Sequence, residues 1–210
     1  IKSFLLTPRT VAISFNPHGQ IINSPDNILS MSYLEKDVFN TISIIKKNTI
    51  MLVRKATVDD LDVVAHIEAI CFPPAEAAPR EAFKERLDHY AGQFLIAFDE
   101  TTPIGFIDGF VSDDEILTDE MFADASLHNP NGAWQMIFGL NTMPEYRNRG
   151  VGGQLIEAFI ELAREENRKG VILTCKEEKI PYYAKFGFVN EGESESDHGG
   201  AKWYQMRLEL

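Results

Sequence analysis

The run from Arg147 to Gly153 combines cationic side chains with closely spaced glycines, a pattern suited to holding phosphate. An apolar, strand-like run precedes it, and a strongly periodic amphipathic helix follows it. Glycines at the start of a helix leave backbone N–H groups open, and the helix dipole adds partial positive charge there. The run therefore predicts a cradle for a pyrophosphate group.

Three phosphate-binding patterns compete for these glycines. A Walker A loop needs Gly-Lys-Ser/Thr, and the chain has Gly152-Gly153-Gln154 instead, which excludes that loop. A Rossmann fingerprint needs a third glycine where Leu155 stands, although an acidic residue, Glu177, does follow the next strand. The third pattern, Arg-x-x-Gly-x-Gly between a strand and a helix, is matched fully. We favour this third pattern and leave dinucleotide binding as an alternative.

The cradle lies within a strand–helix–strand unit. The strand before it is predicted from Ala133 to Thr142, and Gly139 within it indicates a bulge or a close approach by a ligand. The helix after it is predicted to end with Gly170 as its C-cap, and a buried strand follows over 171–175. Such a unit implies parallel pairing through a right-handed crossover.

The remaining pattern places this unit in an α/β domain. Two strand-like runs, 94–98 and 104–110, are separated by a turn and predict an antiparallel pair, and 203–210 alternates as a half-buried terminal strand. A strand is predicted to begin near residue 51, and a helix follows it. The preceding stretch contains only short apolar runs around a predicted turn. We therefore divide the chain into an N-terminal extension of unknown role (1–50) and a domain (51–210).

Composition limits the classes of partner. With 210 residues and 44% hydrophobic content, the chain can bury a sizeable core, and no apolar stretch approaches the length of about 20 residues that spans a bilayer. Cys71 and Cys175 lie far apart and predict neither a disulfide framework nor a metal site. A net charge of −12 argues against a nucleic-acid partner and suits either cationic substrates or simple solubility. We expect a cytoplasmic protein with no membrane partner.

Two motifs together resemble a known family. The Arg147-x-x-Gly150-x-Gly152 pattern is followed by the run Ile180-Pro181-Tyr182-Tyr183-Ala184-Lys185-Phe186-Gly187-Phe188. This combination resembles the GCN5-related N-acetyltransferase (GNAT) superfamily. The stretches 127–132 and 171–188 resemble more narrowly its serotonin (arylalkylamine) N-acetyltransferase branch. The resemblance covers about residues 51–210 and does not reach the first fifty.

The resemblance implies a fold and an activity. The expected fold is a mixed, mostly antiparallel sheet of about seven strands, with a parallel strand–helix–strand acetyl-CoA unit and flanking helices. The expected reaction is direct acetyl transfer from acetyl-CoA to the primary amine of a small molecule through a ternary complex, without a metal. Two alternatives stay open, namely acetylation of a protein or peptide and a non-catalytic CoA-binding role. The sequence leaves the oligomeric state open, with a homodimer as one option.

The resemblance also implies roles for particular residues. Tyr183 takes the position of the general acid that protonates the leaving CoA thiolate. The predicted cofactor-binding residues pair with the pantetheine arm or hold the pyrophosphate, and they are Leu140, Asn141, Thr142, Arg147, Asn148, Arg149, Gly150, Val151, Gly152 and Gly153.

The proton route from the amine is the point at which the pattern departs from the family. The arylalkylamine branch carries two histidines on the strand before the cradle, and Met136 and Phe138 stand at those positions. Arylalkylamines are therefore doubtful substrates. His128 and the acidic turn 113–115 are polar candidates near that strand, each with an ordinary surface role as the alternative. Cys175, inside an apolar strand, is expected to belong to the core.

Overall fold

The computed structural model describes residues 41–46, 49–196 and 198–210. Within these ranges the chain forms ten β-strands and five α-helices. In chain order they are β1 (Thr41–Lys46), β2 (Thr49–Lys55), α1 (Leu61–Cys71), α2 (Arg80–Tyr90), β3 (Phe94–Asp99), β4 (Thr102–Asp108), β5 (Val111–Ser112), α3 (Asp119–Ala123), β6 (Trp134–Ile137), β7 (Gly139–Thr142), α4 (Val151–Glu165), β8 (Gly170–Cys175), α5 (Ile180–Ala184), β9 (Val189–Glu193) and β10 (Tyr204–Glu209). Most of the predicted extension, residues 1–40, 47 and 48, lies outside the described residues, and the division at residue 50 stays a prediction.

The strands form two five-stranded sheets. The first has the order β1-β2-β3-β4-β7 and is antiparallel throughout, and the second has the order β5-β6-β8-β10-β9. Within the second sheet β6 and β8 run parallel, whereas its other pairs are antiparallel. The predicted α/β fold with mixed, mostly antiparallel pairing is confirmed. Ten strands are present instead of about seven, partly because β1 falls before residue 51 and the strand before the cradle is divided.

The strand predicted from Ala133 to Thr142 is in fact two strands in different sheets. β6 belongs to the second sheet and β7 to the first, with Phe138 between them. The Phe138 backbone N–H donates to the carbonyl of Asp108 at 2.8 Å. A Cβ on residue 139 would lie 2.6 Å from Oδ1 of Asp108, so the close approach requires glycine. Gly139 therefore marks the change of sheet rather than a bulge within one strand.

Helices cover both faces of the first sheet. Successive residues of a strand point to opposite faces, and in β3 Leu95 and Ala97 join one core whereas Phe94 and Ile96 join the other. The first core is filled by α4, whose buried residues are Val151, Leu155, Ile156, Ala158, Phe159, Ile160, Leu162 and Ala163. The second core is filled from α1 and α2, chiefly by Val64, Ile67, Phe83 and Leu87. The sheet is therefore fixed in place from both sides.

The predicted C-cap of the helix after the cradle is wrong. α4 ends at Glu165, and the residue in the left-handed region after it is Asn167, with φ of 57°. Gly170 is the first residue of β8, where a Cβ would lie 2.1 Å from the carbonyl oxygen of Leu208. This glycine is needed for close strand packing and not for helix termination.

Two further sequence-based expectations concern cysteines and membranes. Cys71 and Cys175 are both free thiols. No helix in the described ranges combines the length and apolarity needed to span a membrane.

Replacing Gly109 by alanine tests the junction between the sheets. A Cβ there would lie 1.7 Å from the carbonyl oxygen of Met136, a backbone atom of β6 that cannot rotate away. We expect Gly109→Ala to lower the free energy of unfolding by about 1–3 kcal/mol or more, measured by urea denaturation. The control is Gly92→Ala, where nothing lies within 4 Å and stability should be unchanged or slightly higher. Equal stability of Gly109→Ala and wild type would contradict this account.

Candidate active site

The start of α4 has the geometry of an anion site. Gly150, its N-cap, lies in the left-handed region with φ of 86°, and Asn148 does so with φ of 60°. The N–H of Gln154 donates to the carbonyl of Gly150 at 3.1 Å, the first bond of the helix. The amides of the three helical residues before Gln154 have no carbonyl in the preceding turn to bond, as at any helix start. They are therefore available to a ligand placed beyond the helix end.

A cavity of about 420 Å³ opens beside this helix start. Of the predicted cofactor-binding residues, four line it, namely Arg149, Gly150, Val151 and Gly153. Arg147 and Asn148 are exposed next to it and do not line it. Nε of Arg147 instead donates to the carbonyl of Thr142 at 3.1 Å and ties the loop to the end of β7.

Gly152 is the point where the helix start meets both α5 and β7. A Cβ at this position would lie 3.0 Å from Oη of Tyr182, 3.6 Å from Oγ1 of Thr142 and 3.8 Å from Cδ2 of Leu140. The structure thus brings together residues that the sequence separates by more than thirty positions. Glycine at 152 keeps this contact close.

β7, whose Leu140 and Thr142 lie close to Gly152, has a free backbone edge. It is the last strand of the first sheet and pairs with β4 on one side, while no described strand pairs with its other side. Such an edge exposes unpaired N–H and C=O groups. The side chain of Asn141, which is 1% exposed, points away from this role, because its Nδ2 donates to Oε2 of Glu68 at 3.0 Å.

Tyr183 lies on α5, and its ring packs against Tyr182 and Phe188 with centroid separations of 5.3 and 6.0 Å. Burial raises the pKa of its phenol well above the ordinary value, and Cys175 and Tyr182 add to the effect. The hydroxyl therefore stays protonated and can donate. Tyr183 lines neither large cavity, whereas the neighbouring Tyr182, which sequence reasoning did not single out, lines the cavity beside the cradle.

A second cavity, of about 410 Å³, lies where the end of β4 pairs with the start of β7. We call it the acceptor-side cavity. Three buried charged residues line it, each from a different element: Glu68 from α1, Arg86 from α2 and Asp108 from the end of β4. Apolar and aromatic side chains form much of the remaining wall, among them Phe72, Phe122, Phe138 and Trp203. None of the three charged residues was predicted from the sequence.

Arg86 and Asp108 form a buried ion pair. Nη1 of Arg86 donates to Oδ2 of Asp108 at 3.2 Å, and Nη2 donates to the carbonyl of Phe122 at 3.0 Å. Burial raises the pKa of Asp108 to about 7, a change that Arg86 opposes and Glu68 reinforces. A carboxyl with a pKa near neutrality can exchange a proton at physiological pH.

Glu68 connects two segments around the cavity. Its Oε1 accepts from the backbone N–H of Ala78, and its Oε2 accepts from Asn141, each at 3.0 Å. Burial raises the pKa of this carboxyl, against the effect of these hydrogen bonds and of Arg86. Both oxygens are occupied, so Glu68 holds the loop after α1 against β7.

The structure removes the other polar candidates from the site. His128 is half-buried against Tyr90, and its Nδ1 accepts from the Val111 backbone N–H at 3.1 Å. Burial lowers the pKa of His128, so its neutral form is favoured. Asp113 lies in an exposed turn and accepts from the Ala133 N–H at 3.0 Å. Both serve local structure.

Met136 and Phe138, which stand where the arylalkylamine branch has histidines, lie in different surroundings. Met136 is fully buried in the core of α1 and α2, and Phe138 packs its ring against Phe110 and Phe122 at centroid separations of 4.8 and 4.4 Å. Phe138 lines the acceptor-side cavity, and Met136 does not. Neither side chain can accept a proton. Within the described ranges, no group of His, Cys, Asp and Glu is arranged to hold a metal ion.

Known proteins are similar to this chain in sequence. Residues 61–188 match the family model described as "Acetyltransferase (GNAT) family". "Probable hydrolase YhcX" of Bacillus subtilis (strain 168) is 31% identical over 146 residues, which cover 65% of this chain and 27% of that protein. "Serotonin N-acetyltransferase" of Mesocricetus auratus is 27% identical over 114 residues, 54% of each chain. The chain thus matches well under two thirds of either relative's length.

Solved structures extend the similarity to the fold. The GphF GNAT-like decarboxylase in complex with isobutyryl-CoA has a TM-score of 0.62 at 19% identity, and the match covers 75% of this chain and 98% of that one. The family match spans the helices α1 to α5 and the strands from β3 to β8, which include the cradle and all the residues that line the acceptor-side cavity except Ser196, His198 and Trp203. The chain therefore belongs to the acetyltransferase (GNAT) family.

Proposed function

We propose that the protein is an N-acetyltransferase that moves the acetyl group of acetyl-CoA directly to the primary amine of a small molecule in a ternary complex. The observation that carries this proposal is the presence of two separate cavities near β7. One borders the glycine cradle, and the other ends in buried carboxylates. The backbone amides of the cradle would bind an anionic donor, and the carboxylates of the second cavity would bind a cationic acceptor.

On the donor side, backbone groups carry most of the proposed recognition. The open amides from Asn148 to Gly153 and the dipole of α4 would hold the pyrophosphate, with Arg147 and Arg149 adding positive charge. The free edge of β7, from Leu140 to Thr142, would pair with the amides of the pantetheine arm. A solved structure with a similar fold holds isobutyryl-CoA, which supports a CoA thioester as the donor.

On the acceptor side, the carboxylates that line the cavity support a small cationic amine. Lys176 Nζ lies 2.7 Å from Oε1 of Glu76, and His198 Nε2 lies 3.4 Å from the carbonyl of Glu76. Ser196 also donates to Asp119. These contacts connect segments that line the acceptor-side cavity, whereas a peptide substrate would need a groove open at both ends. A small molecule is therefore favoured over a protein or peptide.

The proposed reaction needs no covalent enzyme intermediate. The neutral amine nitrogen attacks the thioester carbonyl and forms the C–N bond. The nitrogen loses its surplus proton to solvent, the C–S bond breaks, and Tyr183 donates its proton to the departing thiolate. Burial raises the pKa of Cys175 to about 11, and it also raises the pKa of Cys71. Neither thiol is activated as an acyl-accepting nucleophile, which favours direct transfer. The two reduced cysteines also agree with the proposed cytoplasmic location.

Gly150→Glu should weaken acetyl-CoA binding at least about tenfold, because it places a carboxylate against the pyrophosphate. Isothermal titration of acetyl-CoA into the purified protein measures this. Gly192→Glu is the matched control, since Gly192 also has a positive φ and nothing lies within 4 Å of its added Cβ. Equal affinity of Gly150→Glu and Gly192→Glu would show that the cradle is not the pyrophosphate site.

Tyr183→Phe should lower kcat by about 100-fold while acetyl-CoA affinity stays unchanged, because only the proton donor is lost. The assay follows CoA release with the best substrate from a panel of amines, polyamines, amino acids, aminoglycosides and peptides. Tyr182→Phe removes the neighbouring hydroxyl and should change kcat much less. A normal kcat for Tyr183→Phe would remove its assigned role.

A further inference from the structure

The acceptor-side cavity is lined by three buried charged residues that have no role in the reaction described above. Glu68, Arg86 and Asp108 are each less than one tenth exposed and together carry one net negative charge when all are ionised. Nε of Arg86 has no hydrogen-bond partner among the described residues. Buried charges are costly unless they are paired or functional. The pairing within this group is incomplete, which points to a role in binding.

Of the two carboxyl groups, Asp108 is the one that lies at the junction of β4 and β7. Both oxygens of Glu68 accept hydrogen bonds, from Ala78 and Asn141. In Asp108, Oδ2 accepts from Arg86, and the backbone N–H of Gly139 also stabilises the carboxylate. A Cβ at residue 139 would lie 2.6 Å from Oδ1, so glycine keeps side-chain atoms away from this oxygen.

The position of Asp108 suits contact with the reacting amine. It is the last residue of β4 and pairs in register with Gly139, the first residue of β7. The proposed donor arm would lie along the free edge of β7, and Asp108 and Gly139 both line the acceptor-side cavity. Asp108 thus lies at the meeting point of the two proposed substrates.

We propose that Asp108 accepts the proton of the substrate ammonium, and that Arg86 and Glu68 are positioning residues for it. The proposal rests on the proposed acetyltransferase function. An ammonium group donates its proton to the Asp108 carboxylate, and the neutral amine then attacks the thioester carbonyl. The C–N bond forms, the C–S bond breaks, and the thiolate takes a proton from Tyr183. As the amide forms, the attacking nitrogen gives up its second proton to solvent, and the proton on Asp108 also leaves to solvent. The Tyr183 phenolate takes a proton back from solvent, so the cycle closes.

The electrostatic surroundings of Asp108 support this role. Glu68 faces it from α1, Arg86 and Tyr90 face it from α2, and Asp119, Glu76 and His198 lie around the same cavity. Burial raises the pKa of Asp108 to about 7. The carboxylate form, which is the base, therefore predominates above about pH 7 and is lost as the pH falls below it. An amine with a pKa of about 10 arrives protonated and needs such a base.

The test is the pH dependence of kcat, measured by CoA release at saturating amine and acetyl-CoA. Wild type should lose activity as the pH falls through about 7. Asp108→Asn should lower kcat by at least about 100-fold and abolish this acid limb, with acetyl-CoA affinity unchanged. Asp88→Asn, an exposed change on α2, is the control for folding and activity.

Arg86 provides a second test that does not depend on the Asn variant folding. Since Arg86 lowers the pKa of Asp108, Arg86→Met should move the acid limb to higher pH by about one unit or more, and Arg86→Lys should largely restore it. A folded Asp108→Asn with normal kcat and an intact acid limb would overturn the proposal, as would an acid limb that Arg86→Met leaves in place. Failure of wild type to acetylate any amine would overturn the proposed function as well.

Discussion

The change of sheet between Phe138 and Gly139 is the constraint on which the rest of the site depends. Because the chain leaves the second sheet after Ile137 and joins the first at Gly139, β7 becomes an edge strand. The same step places α4 directly after that edge, and it brings the end of β4 to the acceptor-side cavity. One backbone contact, from Phe138 N–H to the Asp108 carbonyl, accompanies the turn.

In the proposed function, the two sides of this junction would recognise their ligands by different physics. The donor side would use backbone amides, a helix dipole and a strand edge, so side-chain identity would matter mainly where glycine is required, as at Gly150 and Gly152. The acceptor side would use buried charges held by partners on separate elements, so identity would matter at each position.

The same contrast decides what the sequence could predict. The run from Arg147 to Gly153 is local in the chain, and its glycine spacing and the helix periodicity were enough to predict the helix start that follows Gly150. Its role as a cradle for phosphate stays a prediction. Glu68, Arg86 and Asp108 come together only in the folded protein, and each one alone looks like an ordinary charge on a helix or at a strand end. The role of Gly170 could not be predicted, because the backbone of Leu208 that approaches it belongs to a strand almost forty residues further along the chain. The local sequence around Gly170 suggested only a helix end.

The measurement that tests the central claim most directly is the initial rate of CoA release with acetyl-CoA varied at several fixed concentrations of the best amine. Two cavities that fill together predict double-reciprocal lines that intersect, since both substrates must be bound before acetyl transfer. Parallel lines, together with acetylated protein detected by mass spectrometry in the absence of amine, would indicate a covalent intermediate and contradict direct transfer.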